Sequence, residues 1–307
     1  MAGDLLLPYN LSLAHILSDS MRSTSLSLDL PSLQALQDDL LGRARQPPQQ
    51  DSVPLLIAGQ RCGWLFLKAA QALAGLGGVE LSPTEAHIGR RSTSEPTLND
   101  LLARVSLALK AAGCAPGWRN ELLDVWVATA SAQTLPASQT SLGVIERGVV
   151  RPLGLLTLAV HLNGWSVDGK LWVARRALSK ATDPGMWDTL VGGLVSCRET
   201  AESALVRETE EEAGLESQQI AHRTPLRTIA RMHKQVPEGF QSEDVLTCEC
   251  TLPEGVTPKN RDGEVMDIQL FETQTIFNML KEGAFTLEAS IVLVEALLGK
   301  EKARAPP

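Results

Sequence analysis

The sequence predicts an α+β protein: a mixed β-sheet sandwiched between helices, α/β/α in section, preceded by an N-terminal α/β accessory domain. Three observations predict it. A capped amphipathic helix over Ala201–Ala213 is flanked by strand-like stretches on both sides. Leu153–Leu162 is strongly apolar and suits a buried strand. The first half alternates short apolar stretches with amphipathic helices, broken by Pro and Gly. With 307 residues, 44% of them apolar, the chain has room for two domains with real cores.

Residues 1–30 are rich in Ser and Leu and read as a loosely attached arm, with Leu11–Leu17 able to form a short helix. Pro31 to about Arg45 is a helix: Pro suits a first turn, and Leu33, Leu36, Leu40 and Leu41 recur at helical spacing. Gln46-Pro47-Pro48-Gln49-Gln50 ends it as a linker. Val53–Ala58 and Gly63–Leu67 form a hairpin turned at Gly59. Helices follow over Lys68–Leu76 and Thr97–Ala112, stopped by Gly77-Gly78 and Gly113. Leu122–Thr129 is a strand and Leu135–Ser141 a loop. The pattern changes near Val144, so the accessory domain is placed at 1–142, a second domain at 143–299 and a tail at 300–307.

In the second domain Leu153–Leu162 is followed by a turn over Asn163–Gly169 and a strand over Lys170–Arg175. Asp183-Pro184-Gly185 is a strong turn signal. Leu226–Met232, Glu243–Leu252 and Val265–Phe271 read as strands, and Thr286–Leu298 as a closing helix.

The formal charge of −8 gives no general attraction to nucleic acid or anionic lipid, so bound phosphate must be held by local arginines or by metal. Five scattered cysteines without a CxxC pair argue for reduced thiols and against structural zinc. Cys248 and Cys250 alternate as packing residues on one strand face. No secretory leader or spanning segment is expected, and the protein reads as cytoplasmic, without membrane or nucleic-acid partners. His15 and His87 stand alone, without neighbouring chemistry.

The chemistry converges on Gly193 to Leu215. Gly193 and Glu199 are separated by five residues; after seven more come Arg207-Glu208, then Glu211-Glu212, then Gly214-Leu215. Thr200 caps the helix and Gly214 ends it. Ala201, Ala204 and Leu205 fall on its inward side. Glu208, Glu211 and Glu212, at i, i+3 and i+4, share one face. Clustered carboxylates need a counter-charge, and hard divalent cations prefer such oxygen donors. Opposite charges on Glu199 and Arg207 would brace the preceding loop on the helix.

This pattern resembles the Nudix box, and the chain is identified as a member of the Nudix family, with the mixed sheet between helices that this implies. Thr209 departs from the bulky aliphatic usual at its position, at a small expected cost in stability. The resemblance implies that Glu208, Glu211, Glu212 and the Gly193 carbonyl ligate Mg²⁺ or Mn²⁺. It implies that Glu208 or Glu212 orients the attacking water, and that Glu199 and Arg207 are the bracing pair. A later loop acid is expected at Glu264, with Glu243 and Asp244 behind it; Arg175 or Arg176 matches the arginine that holds substrate phosphate.

The flanks are similar to one subgroup: Glu146-Arg147, Gly154, Val160–Gly164, Leu171–Arg176, Lys180 and Asp183–Asp188, together with Gly59–Trp64 and Gly117–Glu121 in the first half. It is the Nudix family related to the extra domain of a fungal thiamine pyrophosphokinase. That resemblance implies hydrolysis of thiamine diphosphate, or of its oxidised or damaged forms, to the monophosphate. Arg175, Arg176, Lys180 and Trp187 become substrate-binding candidates, with Trp187 and Trp165 available for stacking and Trp118, Arg119 and Glu121 the accessory residues to examine first. Competing readings are a pyrophosphatase for nucleoside diphosphate derivatives (ADP-ribose, NADH or nucleoside triphosphates), a non-hydrolytic sensor, and an isomerase of the isopentenyl diphosphate type, for which Cys197 is no obvious match. Monomer and homodimer are both open.

Overall fold

The computed structural model describes residues 27–89, 95–128 and 141–304. Most of the N-terminal arm, with Leu11–Leu17 and His15, lies outside these residues, as does residue range 135–140 of the expected loop.

In the first half, α1 (Leu30–Arg43) is followed by β1 (Val53–Ile57), β2 (Gln60–Leu65), α2 (Leu67–Leu73), β3 (Val79–Leu81), β4 (Ala86–Ile88) and α3 (Glu95–Ala111). The expected hairpin is β1–β2, antiparallel; β4 pairs parallel to β1 and antiparallel to β3, giving a four-stranded sheet in the order β2-β1-β4-β3. The three-residue β3 and β4 are too short to show a period in the sequence. His87, on β4, is buried and bonded through Nε2 to Glu85 at 2.8 Å. Among the described residues of the expected Leu122–Thr129 strand, only Leu122–Asp124 forms a ladder; this is β5, paired with β6 (Val144–Glu146).

The second half holds β7 (Leu156–Trp165), β8 (Leu171–Arg176), β9 (Trp187–Thr189), β10 (Val191–Leu194), α4 (Ala201–Ala213), β11 (Arg227–Val236), β12 (Gly239–Thr251), β13 (Val265–Phe271), α5 (Thr273–Lys281) and α6 (Leu287–Arg304). Its sheet runs β11-β12-β7-β8-β13, with β10 on β7 and β9 on β8. The β12–β7 pairing is parallel, and its long register, Ser242↔Leu156 to Thr251↔Trp165, makes these strands the spine. β7 continues through Asn163-Gly164-Trp165, where the sequence suggests a turn. The ladder overrides the local turn signal, and the turn itself is Ser166–Gly169.

Helices cover both faces. Ala204, Leu205 and Ala213 of α4 pack on Leu158, Val160 and Leu162 of β7 and on Leu246, Cys248 and Cys250 of β12. Both of these cysteines are packing residues, as expected. The opposite face takes α5 and α6, together with Leu33 and Leu40 of α1. Helix α1 thus joins the core of the larger sheet, although it lies far from it in sequence. Helix α6 runs on through Lys300–Arg304, where the sequence suggests a tail, because Glu301 is buried and bonded to Ser27 and Arg304. The core of the first half extends through Leu123, Ile145, Val149 and Leu153 to Leu155. No helix among the described residues is long and apolar enough to cross a membrane.

Glu243 is buried on the α6 face, held by Thr157 and Gln241, with Glu288 nearby. Burial, reinforced by the Glu288 charge, pushes its carboxyl up towards neutrality. The folded state therefore binds a proton there that the unfolded chain has lost. This contribution to stability is present at mildly acidic pH and is lost as pH rises through the folded-state value. Thermal unfolding should move to lower temperature as pH rises from about 4.5 to about 7, and Glu243→Gln should flatten the profile; an equally steep profile in the variant would refute this assignment.

Candidate active site

Thr200 begins α4 with a reciprocal cap: its hydroxyl accepts from Ser203 N at 3.1 Å, and Ser203 Oγ accepts from Thr200 N at 2.9 Å. Gly214 ends it in the left-handed conformation, φ 62°. Two carbonyls of the last turn, which lack helical partners, accept hydrogen bonds from the following loop: Ala213 O from Lys259 N at 2.7 Å and Glu211 O from Arg261 N at 3.1 Å. That loop turns around Asn260 Oδ1, which accepts from Asp262 N and Gly263 N, and so carries Asp262 and Glu264 to the box.

The three box glutamates line one side of α4 at different depths: Glu212 is buried, Glu208 nearly so, and Glu211 half exposed. Glu212 Oε2 accepts from Gly192 N at 2.9 Å, which ties the helix to β10. Gly193 leaves room for Glu208: a Cβ there would stand 2.1 Å from Glu208 Cδ. Arg207 organises the charges. Its Nε and Nη2 bond both Glu199 oxygens at 2.8 and 2.9 Å, its Nη1 reaches Glu208 at 2.8 Å and Glu211 at 3.1 Å, and Nη2 also donates to Leu194 O. Glu199 in turn accepts from Ser196 N. The expected brace is present and reaches two of the metal-ligand candidates as well.

Burial raises the Glu208 carboxyl despite Arg207. It pushes Glu212 up to about 8, against the opposing pull of the Gly192 N–H and Lys180. For Glu199 the Arg207 hydrogen bonds dominate and lower the carboxyl. Glu264 is raised by burial, but the Lys180 hydrogen bond and charge, with Arg119 and Arg147 behind, carry it below its ordinary value. Lys180 contacts Glu264 directly and stands 3.7 Å from Glu212. Oxygens of Glu212, Asp262 and Glu264 lie within 4.8 Å of one another. This all-oxygen set, with the Glu212 carboxyl held away from ionisation by burial, fits a hard divalent cation.

Glu264 is thus where the sequence expects a later acid, and Asp262 joins it. Only the loop's docking on α4 reveals Asp262. Glu243 and Asp244 stay apart: Glu243 lies on the α6 face, and Asp244 is bonded by Arg231 at 2.6 and 2.8 Å. Arg175 donates to Gly185 O, and Arg176 holds Thr182 O and pairs with Asp188 at 2.9 Å, so both brace the 182–188 turn. Trp187 packs edge-on against Phe271 with Arg175 over its ring. Trp165 is buried, bonded to Glu249 and covered by Lys300. Thr209 packs fully buried, its hydroxyl without a protein partner, which is the source of the expected small cost.

The first half reaches the box directly. Cys197 N donates to Leu122 O, Arg198 N to Asp124 and Ser196 Oγ to Glu121, while Arg147 pairs with Glu121 at 2.7 Å. Arg119 lies 3.6 Å from Glu264.

A family model described as NUDIX domain matches residues 159–290. Over 260 residues, 80% of this chain, the sequence is 30% identical to the chloroplastic Nudix hydrolase 20 of Arabidopsis thaliana and covers 67% of that protein. The chain belongs to the Nudix family. It is also 30% identical to an isopentenyl-diphosphate Delta-isomerase of Citrobacter koseri over 139 residues, 45% of this chain and 75% of that one. A solved structure from Deinococcus radiodurans is similar with a TM-score of 0.42 at 22% identity, covering 58% of this chain and 99% of that one. Two further curated relatives are covered over 60% and 52% of their lengths, so the Nudix chain spans between about half and two thirds of these relatives.

The Nudix helix depends on the fit at its two glycines. Gly193→Ala should displace the Glu208 carboxylate, keep the helical content, and weaken Mn²⁺ binding about 10- to 100-fold in calorimetry. Unchanged affinity would mean that Glu208 does not hold the ion. Gly214→Ala meets both a left-handed backbone and the Lys259 carbonyl at 2.4 Å. It should cost about 1–3 kcal/mol in denaturant unfolding; a loss near zero would refute the docking of the loop on the helix end.

Proposed function

We propose that the protein is a Mg²⁺-dependent hydrolase that cleaves a diphosphate linkage by attack of water. Its proposed substrate is thiamine diphosphate or an oxidised or damaged analogue, giving the monophosphate. The observation that carries the hydrolase reading is the seating of Glu208 against Gly193 and the gathering of Glu212, Asp262 and Glu264, with Arg207 bridging Glu208 to Glu211 and Lys180 bridging Glu212 to Glu264. Bound through these carboxylates and the Gly193 carbonyl, Mg²⁺, or Mn²⁺ in its place, would polarise a phosphoryl oxygen and acidify water. Arg207 holds Glu208 and Glu211 in position, and Glu208 or Glu212 accepts a hydrogen bond from the attacking water and so orients it. Lys180, which pairs with Glu212 and Glu264, would meet substrate phosphate beside them.

The flanking motifs, which resemble the thiamine pyrophosphokinase-related subgroup, support the thiamine-type substrate. Trp187 packs edge-on against Phe271 and stays half-buried.

Cys197 argues against the isomerase reading. Burial raises its thiol, and the acidic neighbours Asp124, Glu199 and Glu121 oppose the thiolate further.

A panel of thiamine diphosphate, its oxidised forms, ADP-ribose, NADH and nucleoside triphosphates, each with Mg²⁺, tests the proposal. Thiamine compounds should yield the monophosphate fastest; turnover of nucleotides alone would remove the thiamine assignment. Glu211→Gln should cost roughly two orders of magnitude or more in kcat with the fold intact. Full activity in that variant or in excess chelator would remove the metal role.

A further inference from the structure

The segment before β5 belongs to the first half of the chain, and it enters the active site. Trp118 is fixed by Lys110 over its ring at 4.0 Å and by its own Nε1–H donating to Asn120 Oδ1 at 2.8 Å. Arg119 N donates to the buried Glu146 carboxylate at 2.8 Å. Asn120 takes a left-handed backbone, φ 57°, and Glu121 is clamped by Arg147 and Ser196. Every residue around Arg119 is thus held by something else, while Arg119 itself is 40% exposed and meets Glu264 only at 3.6 Å. Three other arginines near the box are more tightly engaged. Arg207 is saturated by three carboxylates and a carbonyl, and Arg175 and Arg176 are tied to the 182–188 turn. A guanidinium on a rigid support, loosely paired and beside a cluster of metal-binding carboxylates, is set up for bidentate contact with phosphate.

We propose that Arg119 is a substrate-binding residue that contacts the diphosphate, so that the active site is composite and the accessory half supplies part of its specificity. This rests on the diphosphate-hydrolase reading. On substrate entry Arg119 exchanges its long contact with Glu264 for the phosphate oxygens, and Arg147 keeps the supporting segment in place through Glu121.

The test uses the full chain. Calorimetric titration with imidodiphosphate, which is not hydrolysed, is done in Mg²⁺, alongside KM and kcat for whichever panel compound the wild type cleaves. Arg119→Ala should weaken imidodiphosphate about 10- to 100-fold and raise KM more than it lowers kcat. Its unfolding temperature should match the wild type, since the side chain is solvent-facing. Arg119→Lys should recover part of the loss. To separate direct contact from an effect relayed through Glu264, the same truncation is made in Glu264→Gln. A direct ligand still loses affinity there, whereas a residue acting through Glu264 loses nothing more. Imidodiphosphate affinity within about twofold of wild type in Arg119→Ala, or no further loss in the Glu264→Gln background, overturns the proposal. If the wild type neither binds imidodiphosphate nor cleaves any panel compound, the hydrolase reading fails and this inference with it. If the wild type does both and Arg119→Ala behaves the same, the inference alone fails.

Discussion

Like charges on one helix face are the constraint that the rest of this structure answers. Glu208, Glu211 and Glu212 are brought within a turn of each other by the helical repeat; Glu212 is buried and Glu208 nearly so. Without compensation such a face would favour either protonation or an unwound helix. Arg207 compensates from within the helix and Lys180 from the strand-to-turn segment before it. The Gly192 N–H adds a fixed dipole to the most buried of the three. What remains uncompensated suits a divalent ion, so the electrostatic cost of the empty arrangement and the affinity of the loaded one have the same origin.

The parts of the chain that obey a local period were legible in the sequence. Helix α4, with its cap at Thr200 and stop at Gly214, has the expected limits, and β13 has its expected span, Val265–Phe271. The Glu199–Arg207 brace followed from charge and spacing alone. Long-range contacts were not legible. Nothing in Leu30–Arg43 says that its leucines will pack on α5 and α6 rather than on the strands that follow it. Nothing in Asp262 distinguishes it from a surface acid until Lys259 and Arg261 find the carbonyls of α4. Arg175, Arg176 and Trp187 illustrate the converse. Their residue types suit substrate binding, but the two arginines are engaged by the 182–188 turn and Trp187 packs on Phe271.

The two halves of the chain are consequently less separable than their compositions suggest. Helix α1 completes the core on one face of the large sheet, and the stretch around β5 lies against the box loop at the other end. A Nudix box needs only a strand, a loop and a helix. Here the loop is held from outside by Glu121, Leu122 and Asp124, so the geometry of the catalytic end is partly set by residues far from the box in sequence.

The end of α4 has a dynamic consequence. The carbonyls of Glu211 and Ala213 are occupied by the backbone of the loop that carries Asp262 and Glu264, so the helix terminus and the loop form one cooperative unit. Fraying of that last turn would release acids from both segments together. A metal held as proposed, by acids of both segments, should in turn suppress the fraying, and the slowest-exchanging amides of the loaded protein should extend past Gly214 into the loop.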